Sequence, residues 1–119
     1  MKFFPCSWQL HQFSLPTLVT VGGIMSLPAL AADDAAQMAQ GKLLFTTSVP
    51  ACAVCHTLKD ANAEGAVGPV LDELRPVSSR VTKALRDGLG NMPSYKGKLT
   101  EEQIAALAYY VSRATGAEK

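Results

Sequence analysis

Cys52-Ala53-Val54-Cys55-His56 is the stretch from which the rest of this chain can be read. Two cysteines three apart, with a histidine directly after the second, form the attachment sequence of a c-type haem. On one helical turn, residues i and i+3 share a face. Both thiols can therefore reach the two vinyl groups of one porphyrin and form thioethers, and His56 then directs its imidazole at the iron. Without the histidine, a Cys-x-x-Cys pair would also suit a dithiol redox centre or half of a zinc site.

Upstream of this motif the sequence reads as an export signal. The chain has 119 residues, enough for one small domain. Lys2 supplies a positive start, Phe13 to Leu30 is largely apolar, and Ala29-Leu30-Ala31 is a small-x-small cleavage site. We expect residues 1–31 to be a secretory signal peptide cleaved near Ala31, and residues 32–119 to be the folded domain, delivered to the periplasm. Pro16, Gly22, Gly23 and Pro28 interrupt the apolar run, which argues against an uncleaved anchor and against stable membrane insertion of the mature chain.

Cys6 and His11 leave with the leader, so the mature chain keeps two cysteines and one histidine, all within Cys52 to His56. A free thiol pair would be at risk in an oxidising compartment, and thioether bonds to haem remove that liability. Lysine and arginine number 11 against 10 acidic residues, and Lys2 goes with the leader, leaving a balanced domain. Such a domain has no general attraction for nucleic acid or anionic membrane. A chain this short builds a modest core, which a covalently held haem would staple.

The flanking segments read as helices and loops. Asp33-Asp34 can cap a helix from about Ala35 to Thr47, with Met38, Gly41, Leu44 and Phe45 on one stripe. Val49-Pro50 ends it. Thr57 to Val67 reads as loop, Val70 to Leu74 as one helical turn, and Ser78 or Ser79 as the cap of a helix that stops at Gly88. Gly88 to Tyr95 is a loop by composition. The last helix opens with the capping box Thr100-Glu101-Glu102-Gln103, flanked by a Leu99–Ile104 staple, and ends near Thr115-Gly116. No strand-like alternation is visible.

A six-coordinate haem iron needs a second axial ligand. The mature chain offers Met38 and Met92. Met38 lies on the first helical stripe, where methionine fills core space. Met92 lies in a Gly- and Pro-bounded loop that helix packing does not explain, so Met92 is the expected partner of His56 on the metal. An open, five-coordinate iron is the remaining possibility. Histidine and methionine together raise the potential relative to two nitrogen ligands and leave no vacant site for substrate. Metal-bound histidines donate their other N–H to an acceptor, and the candidate is the carbonyl of Pro69, with Gly68 allowing close approach.

These motifs, together with Val67-Gly68-Pro69, Asn91-Met92-Pro93 and Ala105-Ala106-Leu107-Ala108-Tyr109-Tyr110-Val111, resemble the single-haem class I cytochromes c over about Ala35 to Thr115. The resemblance implies an all-α fold, a few helices wrapped around one covalent haem c. It implies thioethers from Cys52 and Cys55, axial His56 and Met92, and a supporting Pro69 carbonyl. It further implies that the first and last helices cross near Gly41, with Tyr110 packed on that glycine and Phe45 nearby. The family pattern makes the protein an electron carrier and assigns it no catalytic residue of its own. Its partners would be redox proteins: a dehydrogenase as donor, an oxidase or another cytochrome as acceptor.

More narrowly, Thr57 to Ala61, Gly65 to Pro69 and Met92 to Tyr95 are similar to small cytochromes that serve periplasmic sulfite dehydrogenases. Val70 departs from the polar residue that many members carry after Gly-Pro.

Arg80, Lys83, Arg86, Lys96 and Lys98 cluster on both sides of Met92. They read either as a solvated face or as a basic rim for an acidic redox partner. Three other functions compete with electron relay. A thiol–disulfide oxidoreductase would use Cys52 and Cys55 but lacks the βαβ context of such motifs. A haem peroxidase would need distal polar groups, and the mature chain has no second histidine. A zinc module would need a fourth ligand.

Overall fold

In the computed structural model, which describes residues 29–119, an alanine-rich segment forms helix α1 (Ala29–Thr47). Asp33 and Asp34 do not cap it. The helix already runs through them from Ala29, because alanine and leucine are among the strongest helix formers and carry the turn without a cap. Residues 1–28 of the expected leader lie outside the described residues, and its expected cleavage site falls in the first turn of α1. Among the described residues no helix is long and apolar enough to cross a membrane.

A single turn, α2 (Cys52–Cys55), carries the cysteine pair. Behind it the chain makes a small antiparallel ribbon that sequence reading did not anticipate, β1 (Thr57–Leu58) against β2 (Ala63–Glu64), with Leu58 opposite Ala63. Strands of two residues are too short for alternation to show. A 3-10 turn, Lys59–Ala61, joins them, and Asn62 closes it in the left-handed region (φ 49°), a conformation asparagine tolerates. The turn α3 (Leu71–Leu74) follows, and the Lys59 N–H donates to Asp72 Oδ2 at 2.8 Å, pinning the ribbon to it.

Helix α4 (Ser78–Asp87) stops at Gly88, as its sequence implies. Its start differs from expectation: neither Ser78 nor Ser79 caps it, and Val77 occupies the cap position. Glu118 fills that role instead, accepting from both the N–H and the Oγ of Ser78 at 3.1 Å. Those bonds hold the Glu118 carboxyl below the usual carboxylate range. A carboxylate at a helix N-terminus satisfies an orphan N–H and complements the dipole.

Helix α5 (Glu101–Ala114) has the capping box in full, with Thr100 Oγ1 accepting from the Gln103 N–H and Gln103 Oε1 accepting from the Thr100 N–H. Leu99 packs against the core cluster that contains Ile104. At the other end Gly116 (φ 69°) lets the Ala117 and Gly116 N–H groups reach the carbonyls of Ser112 and Arg113, a Schellman closure.

The helices meet over α5, which packs most extensively on α1 and next on α4. At Gly41 the α1 backbone comes so close that a Cβ there would lie 2.3 Å from the Ala106 carbonyl oxygen and 2.3 Å from Tyr110 Cβ. Phe45 meets Tyr110 edge-on, with centroids 6.0 Å apart at 66°. The helix pairing that the resemblance implied is therefore present, with Ala106 as an additional participant. Phe45, Leu58, Leu85, Ile104, Leu107, Tyr110 and Val111 are the buried core.

Tyr110 also carries a polar tip. Its hydroxyl donates to Asp60 Oδ2 at 2.6 Å, and Lys42 lies 3.2 Å from the same oxygen. These contacts hold the Asp60 carboxyl below the usual range, Tyr110 first and Lys42 second. Burial, and then Asp60, push the Tyr110 hydroxyl up, so it remains a donor.

A depressed carboxylate pKa stabilises the fold fully above the unfolded value of about 3.9 and progressively less as pH falls through the folded value. Asp60→Asn is expected to cost about 1 kcal/mol or less at pH 7, since the side chain is 43% exposed and solvent screens it. The difference from wild type should narrow as the pH falls from 7 to about 3, below the unfolded value. Denaturant unfolding at the two pH values measures it, and a difference that persists in full in acid would remove the ionic origin.

The haem cavity

A cavity of about 810 Å³ opens between α2, the α3–α4 segment and the α4–α5 connection. Its inner wall is apolar, built from Phe45, Leu71, Leu85, Leu107 and Val111. All five residues expected to bind the cofactor line it: Cys52, Cys55, His56, Pro69 and Met92. Met38 is not among the lining residues; it packs against the core from α1.

The single turn α2 sets the spacing of the motif. Cys52 is buried and Cys55 half-buried on this turn. The His56 N–H donates to the Cys52 carbonyl at 2.9 Å, ending the turn, and Gly68 N–H donates to the Cys55 carbonyl at 2.7 Å. Gly65 packs on the same turn so closely that a Cβ would lie 2.6 Å from the Val54 oxygen.

His56 Nδ1 lies 3.0 Å from the Pro69 carbonyl oxygen. A carbonyl can only accept, so Nδ1 carries the proton and Nε2 is left with the lone pair that a metal requires. Gly68 sits flat against the ring: a Cβ would stand 2.5 Å from His56 Cε1 and 2.8 Å from Nδ1. Gly68→Ala is therefore expected to displace the imidazole and break its bond to Pro69. Ligand-orienting contacts of this kind are worth about 10–100-fold in metal affinity. In a holoprotein ligated through His56, release of that histidine on acid titration reads the effect, and an unchanged titration would mean that the loop absorbs the methyl.

Met92 reaches the cavity from the loop after α4. The Leu89 and Met92 backbones exchange N–H···O=C bonds at 3.0 Å each, and Gly88 (φ 75°) leaves no room for a side chain, since a Cβ would lie 2.9 Å from the Met92 oxygen. Tyr95, which sequence reading did not single out, is buried in the same wall and donates from its hydroxyl to the Pro50 carbonyl at 2.6 Å. Burial is the main reason its pKa is pushed up to about 12. Its only sequence signal is its place three residues past Met92.

Charge around the cavity is compensated in part. Arg80 and Lys83 line its edge, but Lys83 pairs with Asp87 at 2.7 Å and Arg86 pairs with Glu101. Two of the five cations, Lys83 and Arg86, are thus ion-paired among the described residues.

Burial raises the Cys52 pKa, partly opposed by Ser48. Among the described residues no group of three or more His, Cys, Asp or Glu side chains is arranged to hold a metal ion, as a zinc module would need.

Two thiols, an imidazole in the metal-binding tautomer and a thioether around one apolar cavity fit haem c. The fold and this cavity define a small helical electron-transfer protein. A family model described as cytochrome C oxidase, cbb3-type, subunit III matches residues 36–111. A cytochrome c6 from Synechocystis sp. is 31% identical, over 82% of this chain and 81% of that protein. The crystal structure of the c-type cytochrome SorU from Sinorhizobium meliloti superposes with a TM-score of 0.66 at 48% identity, covering 69% of this chain and 94% of SorU. The chain belongs to the matched family and is a class I cytochrome c that carries haem c. When bound, the haem supplies a one-electron iron couple.

Proposed function

We propose that this chain is a periplasmic one-electron carrier, exported by residues 1–31 and cleaved near Ala31. Cys52 and Cys55 hold the haem as thioethers, His56 and Met92 are the axial ligands, and the Pro69 carbonyl orients His56. The observation that carries this reading is the 3.0 Å contact between His56 Nδ1 and Pro69 O in the cavity that Met92, and not Met38, also lines. With both axial positions filled, the iron has no vacant site for oxygen or peroxide. The chain's own contribution is to exclude water and to keep both ligands across the two oxidation states.

The donor is a periplasmic dehydrogenase, with sulfite dehydrogenase the specific candidate, and the electrons pass towards a respiratory acceptor. The loop similarities at Thr57–Ala61, Gly65–Pro69 and Met92–Tyr95 support the donor, as does the 48% identity to SorU over 94% of that chain. The family model's description as an oxidase subunit supports a respiratory acceptor.

The test is a visible absorption trace on air-oxidised purified protein mixed with periplasm of its source from which the native cytochrome has been removed. Sulfite alone should bring up the ferrous c-type bands. If only dithionite does so, the haem assignment stands and the donor is another dehydrogenase. If neither does, Cys52 and Cys55 do not carry haem. The intact mass of the same preparation reads the cleavage site.

A further inference from the structure

We infer that Tyr95 is a positioning residue for Met92, a strut that ties the Met92 loop to the segment leading into the haem-attachment turn. This rests on the axial role proposed for Met92. The other ties of the loop between α4 and α5 are local: the reciprocal Leu89–Met92 pair, the Lys98 and Leu99 N–H groups on the Tyr95 carbonyl, the Lys96 N–H on Ser94 Oγ, and the Tyr95 N–H and Ser94 Oγ donating back to the Leu85 and Arg86 carbonyls of α4. All run within the loop or back to α4. The Tyr95 side chain does something different. It is 3% exposed, runs along the cavity wall, and places its hydroxyl 2.6 Å from the carbonyl of Pro50, 45 residues away.

Pro50 stands two residues before Cys52, and Ser48 Oγ donates to the same carbonyl at 3.2 Å. The bond therefore joins the element bearing the second axial residue to the element bearing the first thiol. Packing alone does not require it, because phenylalanine would fill the same volume. A tyrosine ring has only two side-chain torsions, so a hydroxyl fixed at its far end holds the loop at a set distance with little entropy cost. Without the hydroxyl the ring still packs, but the loop can swing away from the attachment turn and take the Met92 sulfur with it.

The experiment uses ferric holoprotein and imidazole, which competes with the Met92 thioether for the iron. Loss of the methionine–iron charge-transfer absorption is the readout. Tyr95→Phe should reach half-displacement at an imidazole concentration about five- to tenfold lower than wild type, the weight of one hydrogen bond. Ile104→Val is the control. Ile104 is fully buried but is not a cavity-lining residue, so this variant loses global stability without touching the strut. It should titrate like wild type. Equal titration of Tyr95→Phe and wild type, or an equal shift in both variants, overturns the inference. Absence of the absorption from wild type would instead overturn the Met92 ligation, and the strut with it.

Discussion

Replacing Met92 by histidine is expected to lower the reduction potential by on the order of 0.1–0.3 V, within the roughly 0.8 V that axial ligands span in haem proteins. A thioether sulfur favours ferrous iron relative to a second imidazole. The geometry makes the exchange a clean one. The backbone at position 92 is fixed by the reciprocal bonds to Leu89 and by the close approach of Gly88, so a new side chain enters the cavity where the old one did. A spectroelectrochemical titration measures the shift, and the methionine–iron absorption should disappear with it. Met38→Leu is the matching control: Met38 packs against the core and is not a lining residue, so its replacement should leave the potential near that of wild type. A potential that follows position 38 and not position 92 would reverse the ligand assignment.

Gly41→Ala is expected to destabilise the holoprotein by about 2–3 kcal/mol, the upper part of the usual range for overpacking. The sign is the informative part. Within a helix, glycine to alanine ordinarily gains roughly 0.5–1 kcal/mol. Here the new methyl would stand 2.3 Å from a backbone carbonyl oxygen and 2.3 Å from the root of the Tyr110 side chain. Neither is the flexible end of anything, so α1 and α5 must part. Their separation also loosens the Phe45–Tyr110 edge contact and the Tyr110–Asp60 bond. In a domain of this size about 1 kcal/mol corresponds to roughly 4–8 °C in Tm. Thermal unfolding should therefore show a fall of about 10 °C or more, and a rise would mean that the helices do not approach this closely.

What was legible in the sequence was what is local. The haem-attachment motif, the Thr100–Gln103 capping box, the stop at Gly88 and the glycine closure at Gly116 each need only a handful of consecutive residues, because a helix end is satisfied within a turn. The misreadings share one cause. Ser78 and Ser79 had the right chemistry for a cap, but Glu118, 40 residues on, took the role. Asp33 and Asp34 looked like a start, but the alanines before them continued the helix.

The sequence by itself determined the helical class, the haem c, and the turn and loop whose Cys52, Cys55, His56 and Met92 come to line one cavity. Those follow from spacing along one turn and from the backbone preferences of glycine and proline. Only the tertiary structure decided how the parts hold one another. It seated the Gly68 backbone against the His56 ring, brought the Pro69 carbonyl to Nδ1 across 13 residues, and sent the Tyr95 hydroxyl to Pro50 across 45. A single hydrogen bond or close contact between distant residues leaves no periodic trace in a chain. It exists only once the core has fixed the distance.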